Sequence, residues 1–381
     1  MQEFMKYYII AGEASGDLHG ANLMKALYQK DKDADIRYWG GELMEKVGGT
    51  LVKHYRDLAF MGFVEVLFNL RTIFRNISFC KEDIEKFHPD VLIFIDYPGF
   101  NMRIAKWAKK KGIKTHYYIS PQIWAWKEGR IKDIKRDVDA MYVILPFEKG
   151  FYEDKHQFPV HFVGHPLIDE IAHRKQVDEV LFRKENNLDD RPIIALLPGS
   201  RKQEISKMLE VMLSVVGDYT DYQFVIAGAP SQEESFYQPF IKIQNVHLLL
   251  NKTYDLLSVS YAALVTSGTA TLETALFKVP QVVCYSGNRI SYEIAKRIIK
   301  LKYISLVNLI LDKEVVTELI QTEFNKIRLK EELDKILDGY NRAVLFLEYY
   351  DLEQKLGGVG ASEKTAGLIV KSIKNKDRLE N

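Results

Sequence analysis

The sequence predicts an α/β protein of two Rossmann-like domains, each a doubly wound parallel sheet, the two facing an interdomain cleft. Three observations point there. Short, continuously apolar runs alternate with stretches of helical spacing, as in βαβ units whose strands are buried on both faces. The strand series stops at "VHFVGHPL" and restarts at "IIALLPGS", after a charged, helical connection. The chain has 381 residues, 47% hydrophobic and 28% charged, which suffices for two domains with a sizeable core.

In order, the first half offers strands at "KYYIIAG", "DIRYWGG", "DVLIFIDYPG", "KTHYYISP", "DAMYVILPFE" and "VHFVGHPL". The second offers "IIALLPGS", "YQFVIAGAP", "NVHLLLN", "AALVTSGT" and "QVVCYSG". The linker is placed between Val163 and Arg191, giving domains at 1–167 and 168–350 and a C-terminal helix and tail at 351–381. Fifty-three basic residues against 52 acidic ones leave a net charge of +1, so no global field argues for nucleic acid as a partner. Cys80 and Cys284 sit in apolar surroundings without Cys-x-x-Cys spacing and are read as core residues of a reducing compartment. The apolar run at the N-terminus is too short for a signal peptide, and none approaches the roughly 20 apolar residues of a membrane span, so a cytoplasmic protein is expected.

In open parallel sheets ligands collect at the carboxyl ends of strands, and the unusual residues fall there. "YYIIAGEASGDL" breaks after the first strand into Gly12, Glu13, Ser15, Gly16 and Asp17. The glycines permit close approach to the backbone, but Glu13 and Asp17 repel a diphosphate, so the loop is read as facing sugar hydroxyls. Asp17 is alternatively a cap of its own helix. "LIFIDYPGF" drives an apolar strand into Asp96, whose desolvated carboxylate suits a general base. The competing reading makes Asp96, or Asn101, a helix cap. "YYISPQIWAWK" sets Ser120, Gln122 and Trp124 in an irregular loop, a surface for sugar or acyl chain, or alternatively a core plug.

In the second half, Gly199, Ser200 and Arg201 open a helix after a strand, and Arg201 can fork onto a phosphate or stand as a surface residue beside a capped turn. Ser267, Gly268 and Thr269 repeat the arrangement, with Glu273 placed to accept ribose hydroxyls. Two anion loops in one half point to a nucleotide, and no Gly-x-x-x-x-Gly-Lys-[Ser/Thr] occurs. The Asp-x-Asp pairs at Asp31, Asp33 and Asp35 and at Asp137 and Asp139 precede strands and are read as turns; no metal and no cofactor is expected. The Phe-rich stretch from Leu58 to Phe79 is either a buried helix or one that dips into a membrane surface through Phe60, Phe63, Leu67, Phe68, Arg71, Phe74 and Arg75.

Taken together, Gly12-Glu13-Ala14-Ser15-Gly16-Asp17, Ile95-Asp96-Tyr97-Pro98-Gly99, Ser120-Pro121-Gln122, Gly164-His165-Pro166, Pro198-Gly199-Ser200-Arg201 and Ser267-Gly268-Thr269 resemble the lipid-A-disaccharide synthase family, in order from about residue 7 to 370. The resemblance implies an inverting GT-B glycosyltransferase that joins UDP-2,3-diacylglucosamine to 2,3-diacylglucosamine 1-phosphate. Its products would be the β(1→6) disaccharide and UDP, in Gram-negative bacteria. It implies Asp96 as the essential carboxylate, Arg201, Ser267, Gly268, Thr269 and Glu273 at UDP, and Asn308 near the donor. Gly99 stands where many members carry a second Asp, which leaves Asp96 as the base. Acyl-bearing substrates give the Phe-rich stretch a purpose, docking on inner-membrane phospholipid at its cytoplasmic face; a homodimer is compatible with the sequence. Competing readings are a UDP-N-acetylglucosamine epimerase or other transferase, a nucleotide-sugar-binding or membrane-docking protein without catalysis, and an NAD oxidoreductase, which lacks its Gly-x-Gly-x-x-Gly.

Overall fold

In the computed structural model, which describes residues 4–58, 70–287 and 301–377, the chain divides into two compact units. One comprises Met1–Asp169 with Leu356–Asn381, the other Glu170–Lys355.

The first unit holds a parallel sheet of seven strands: β1 Lys6–Ala11, β2 Asp35–Gly40, β3 Thr50–His54, β4 Val91–Ile95, β5 Thr115–Tyr118, β6 Ala140–Val143 and β7 His161–Phe162. Their spatial order is β3-β2-β1-β4-β5-β6-β7. Every residue of β4 is buried, and so is β1 from Tyr7 onward. Tyr8, Ile10, Leu92 and Phe94 join a core on one face, and Tyr7, Ile9, Val91 and Ile93 another on the opposite face. That two-sided burial is why these strands read as unbroken apolar runs. The helix Ala361–Asp377 sets Ala366, Ile369 and Val370 into the same core as Leu23 and Leu27 of the helix Ala14–Lys30.

The second unit has six parallel strands: β8 Ile193–Leu197, β9 Gln223–Gly228, β10 Val246–Leu250, β11 Ala262–Thr266, β12 Gln281–Tyr285 and β13 Glu318–Ile320, in the order β10-β9-β8-β11-β12-β13. Two strands, β3 and β13, go beyond those read from sequence. Both lie at a sheet edge, where one-sided pairing requires no long apolar run. In each sheet the order reverses once, between β1 and β4 and between β8 and β11. Loops leaving those strand pairs diverge and open a crevice at their carboxyl ends. Cys80 and Cys284 are both buried free thiols.

Candidate active site

The crossover of the first sheet brings together the ends of β1 and β4, whose last residues, Ala11 and Ile95, are register partners. Asp96 follows at once, and both Asp96 (φ 45°) and Tyr97 (φ 48°) take left-handed backbone. Non-glycine residues held there cost about 1–3 kcal/mol each and need surroundings that over-determine them. Here the Asp96 carbonyl accepts the Asn101 Nδ2–H (2.8 Å) and the Tyr117 hydroxyl (2.6 Å), while its N–H donates to the Tyr118 carbonyl (3.2 Å). The helix Pro98–Lys110 is capped at Tyr97 with no side-chain bond, so neither Asp96 nor Asn101 is a helix cap. Asn101 instead ties the strand ends together through the Ile10 and Ile95 carbonyls. Burial first, and the neighbouring Glu13 carboxylate second, push the Asp96 carboxyl up to about 6.

The loop after β1 departs from its sequence reading at three positions. Glu13 and Ser15 are exposed. A Cβ on Gly12 would fall well inside contact distance of the Tyr97 ring, so that space is filled by protein and not open to a ligand. Gly16 packs its bare Cα near the Ala11 side chain (3.2 Å for an added Cβ), a helix-on-strand contact. Asp17 is 2% exposed and neither meets sugar nor caps its own helix. Its carboxylate accepts the N–H groups of Gly41 (2.7 Å), Leu43 (3.0 Å) and Met44 (3.1 Å), capping the helix Glu42–Val47. Asp17→Ala strands those three donors, at about 1–3 kcal/mol for each one left unsatisfied, while touching no reacting group. Urea unfolding is expected to show a loss of about 2–4 kcal/mol, with kcat per folded molecule within twofold of the parent.

In the loop after β5, Ser120 is buried and donates to Glu148, which also accepts the N–H groups of Ile144 (3.1 Å) and Leu145 (2.9 Å). Ser120 is therefore a brace and not a substrate ligand. Trp124 packs edge-on against Phe147 at 4.8 Å, as a core plug does, whereas Gln122 and Trp126 are exposed.

In the second unit, the loops after β8 and β11 converge at the other crossover. Gly199, Ser200, Ser267, Gly268, Thr269 and Glu273 line one cavity of about 300 Å³. Gly268 (φ 142°) begins the helix Thr269–Leu276 without a side-chain cap, so the N–H groups of Gly268, Thr269 and Ala270, all on the cavity lining, have no capping side chain, while the Thr271 N–H donates to the Gly268 carbonyl (3.2 Å). Glu273 accepts the Tyr254 hydroxyl (2.7 Å) through one oxygen, and burial raises its pKa. Arg201 lines an adjoining cavity of about 420 Å³ with Lys202, Lys207 and Tyr285. Glu204 lines both cavities and was missed from sequence. Its signal was available: a Glu in the first turn of the helix that Arg201 opens. Ser267 donates to the Ile304 carbonyl (3.1 Å).

Asn308 belongs elsewhere. It is fully buried, its amide donating to the Val316 carbonyl (2.8 Å) and Glu318 (2.9 Å) and its oxygen accepting from the N–H groups of Val315 and Val316. All its capacity goes to bracing β13, and none remains for a donor. Of the Phe-rich stretch, Phe60, Phe63, Leu67 and Phe68 lie outside the described residues. Arg71, Phe74 and Arg75 are exposed on the helix Leu70–Phe87, whose other face buries Ile77, Cys80 and Ile84. Among the described residues no helix is long and apolar enough to cross a membrane.

A family model described as Lipid-A-disaccharide synthetase matches residues 7–358. The chain is 39% identical over 380 residues to a lipid-A-disaccharide synthase of Geobacter metallireducens, covering 97% of each chain. It is 40% identical over 377 residues to one of Syntrophus aciditrophicus, covering 97% of this chain and 98% of the relative. Among solved structures, the UDP-GlcNAc 2-epimerase of Neisseria meningitidis, crystallised with UDP-GlcNAc, superposes with a TM-score of 0.64 at 14% identity, covering 97% of this chain and 100% of the other. That likeness is one of fold.

Proposed function

The chain belongs to the lipid-A-disaccharide synthase family of glycosyltransferases, enzymes of lipid A disaccharide synthesis, and from that membership we propose its substrates and chemistry. The donor is UDP-2,3-diacylglucosamine, the acceptor 2,3-diacylglucosamine 1-phosphate, and the products are the β(1→6)-linked disaccharide 1-phosphate and UDP. Asp96 accepts the proton of the acceptor 6-hydroxyl as that oxygen attacks the anomeric carbon. The bond from that carbon to the UDP oxygen breaks in the same displacement, so configuration inverts. The diphosphate's growing charge falls on Arg201 and on the N–H groups at Gly268 and Thr269. Glu273, one oxygen already engaged by Tyr254, accepts ribose hydroxyls with the other.

The observation that carries this reading is Asp96 itself. A carboxyl at a sheet crossover, on strained backbone and desolvated to about 6, can hold a proton transiently near neutral pH. Exposed Arg71, Phe74 and Arg75 fit contact with an anionic lipid surface, where both acyl-bearing substrates reside. Incubating the purified protein with both substrates and following products by mass is expected to give UDP and disaccharide 1-phosphate in equal amounts. No disaccharide, or conversion of UDP-N-acetylglucosamine without an acceptor, would overturn the assignment.

A further inference from the structure

A cavity of about 250 Å³ opens beside the catalytic turn of the first unit, bounded by Pro98, Gly99 and Pro121. Its wall combines one face of the helix Pro98–Lys110, bearing Arg103 and Lys106, with Arg130 and the helix Ile131–Asp137. Residues 99, 103 and 106 share that face because three- and four-residue steps return to it. A Cβ placed on Gly99 meets no atom within 4 Å, so the rim is open where the chain leaves Asp96.

The charge in this cavity is unbalanced in a specific way. Its two carboxylates are already committed: Arg136 bonds Asp137 through Nε (2.7 Å) and a second nitrogen (2.5 Å), and bonds Asp133 at 2.8 Å. Arg103 spends one nitrogen on the Gly99 carbonyl (2.6 Å) and fixes the turn. The side chains of Lys106 and Arg130 make no hydrogen bond or ion pair among the described residues. Counting Arg136, the described lining sets four cations against two carboxylates, two positive charges in excess, and Lys106 and Arg130 border a space many times the roughly 30 Å³ share of one water with no carboxylate bonded to them among the described residues. A structural ion-pair network would have placed carboxylates against them.

We propose that this cavity binds the 1-phosphate of the acceptor sugar, through Lys106 and Arg130 with Arg103 in support. The inference rests on the acceptor assignment above. In a hexopyranose the carbon that bears the 1-phosphate and the carbon that bears the 6-hydroxymethyl arm both flank the ring oxygen. Holding the phosphate beside Pro98 and Gly99 therefore keeps the 6-hydroxyl arm on the side of Asp96, one turn of chain away. Arginine and lysine divide the work, the guanidinium matching two phosphate oxygens and the ammonium acting as a point charge. The site thus selects a phosphorylated acceptor and fixes which hydroxyl reacts.

The test compares Lys106→Gln, Arg130→Gln and the double variant on two acceptors, 2,3-diacylglucosamine 1-phosphate and the same sugar without its phosphate, in zwitterionic detergent. Lys106 is exposed and Arg130 half-buried, and unchanged urea midpoints are the check on folding. Each single variant is expected to raise KM for the phosphorylated acceptor roughly ten- to hundredfold. KM for the UDP donor and turnover of the dephosphorylated acceptor should stay within twofold, so the parent's preference for phosphate collapses. Equal losses on both acceptors, or none, would refute the phosphate site. A defect that appears only as lost stimulation by anionic phospholipid vesicles would assign the cations to lipid headgroups and refute it too. If the parent forms no disaccharide at all, the acceptor assignment fails by itself, and calorimetric titration with glucosamine 1-phosphate decides the pocket: binding to the parent and not to the double variant supports it, and equal binding or none to both overturns it.

Discussion

Asp96→Asn is expected to lower kcat/KM by roughly 10²–10⁴, the range a general base contributes, while UDP affinity stays at the parent value. Asparagine is the informative replacement because it tolerates the left-handed backbone that Asp96 adopts (φ 45°), so lost activity reports the lost proton acceptor. In the parent, kcat/KM should climb with pH and level off above about 6, where the carboxylate is formed. Glu13→Gln removes one of the two influences that raise this group, and should move the inflection to lower pH. Stability runs the opposite way. The folded state holds its Asp96 proton up to about 6 whereas an unfolded aspartate releases it near 3.8, so between those values the folded state binds more protons and stability falls as pH rises. Asp96→Asn abolishes that loss, and at pH 7 should unfold at higher urea than the parent, by up to roughly 3 kcal/mol. A variant that is less active and more stable identifies a desolvated catalytic carboxyl; one that is less active and less stable would mark Asp96 as a structural residue.

The same physics explains what could be seen in the sequence. Strands buried on both faces advertise themselves, so β1, β4, β8 and β11 were legible, and with them the place of Asp96 and of Ser267 to Thr269 in the loops that leave those strands. Polar residues with distant partners were not. Asp17 caps a helix 24 to 27 residues away, and Ser120 finds Glu148 at a separation of 28. Nothing adjacent to either position distinguishes a satisfied buried group from a ligand. Asn308 misled because only the family resemblance placed it near a donor, yet its partners are Val315, Val316 and Glu318, the segment leading into β13 and its first residue. Gly12 misled for a topological reason: the ring that fills its missing Cβ arrives from Tyr97, across the crossover that makes β1 and β4 neighbours. Small and polar residues at a crossover are thus shared between scaffold and site, and only their three-dimensional partners sort them.

Arg201 is the converse case, a side chain with no scaffold duty. It is exposed, sits at the start of the helix Lys202–Leu213 without capping it through its side chain, and that side chain makes no hydrogen bond or ion pair among the described residues, only the Arg201 carbonyl accepting the Ile205 N–H (2.9 Å). Its removal should therefore leave the unfolding free energy from urea titration within about 0.5 kcal/mol of the parent. The expected cost falls on the reaction instead. In the proposed reaction, negative charge accumulates on the diphosphate as the bond to the leaving UDP breaks, and removing one positioned donor at developing charge costs about 10²–10³ in kcat. Lys202 and Lys207 line the same cavity and retain ground-state attraction for the donor, so the loss should appear mostly in kcat, with KM for the UDP-sugar changed by much less. Arg201→Lys keeps the charge and loses the two-pronged geometry, and should recover only part of the rate. If Arg201→Ala instead raised KM alone, the guanidinium would be gripping substrate and transition state equally. The charge relief would then belong to the uncapped N–H groups at Gly268 and Thr269, whose helix dipole points the same way.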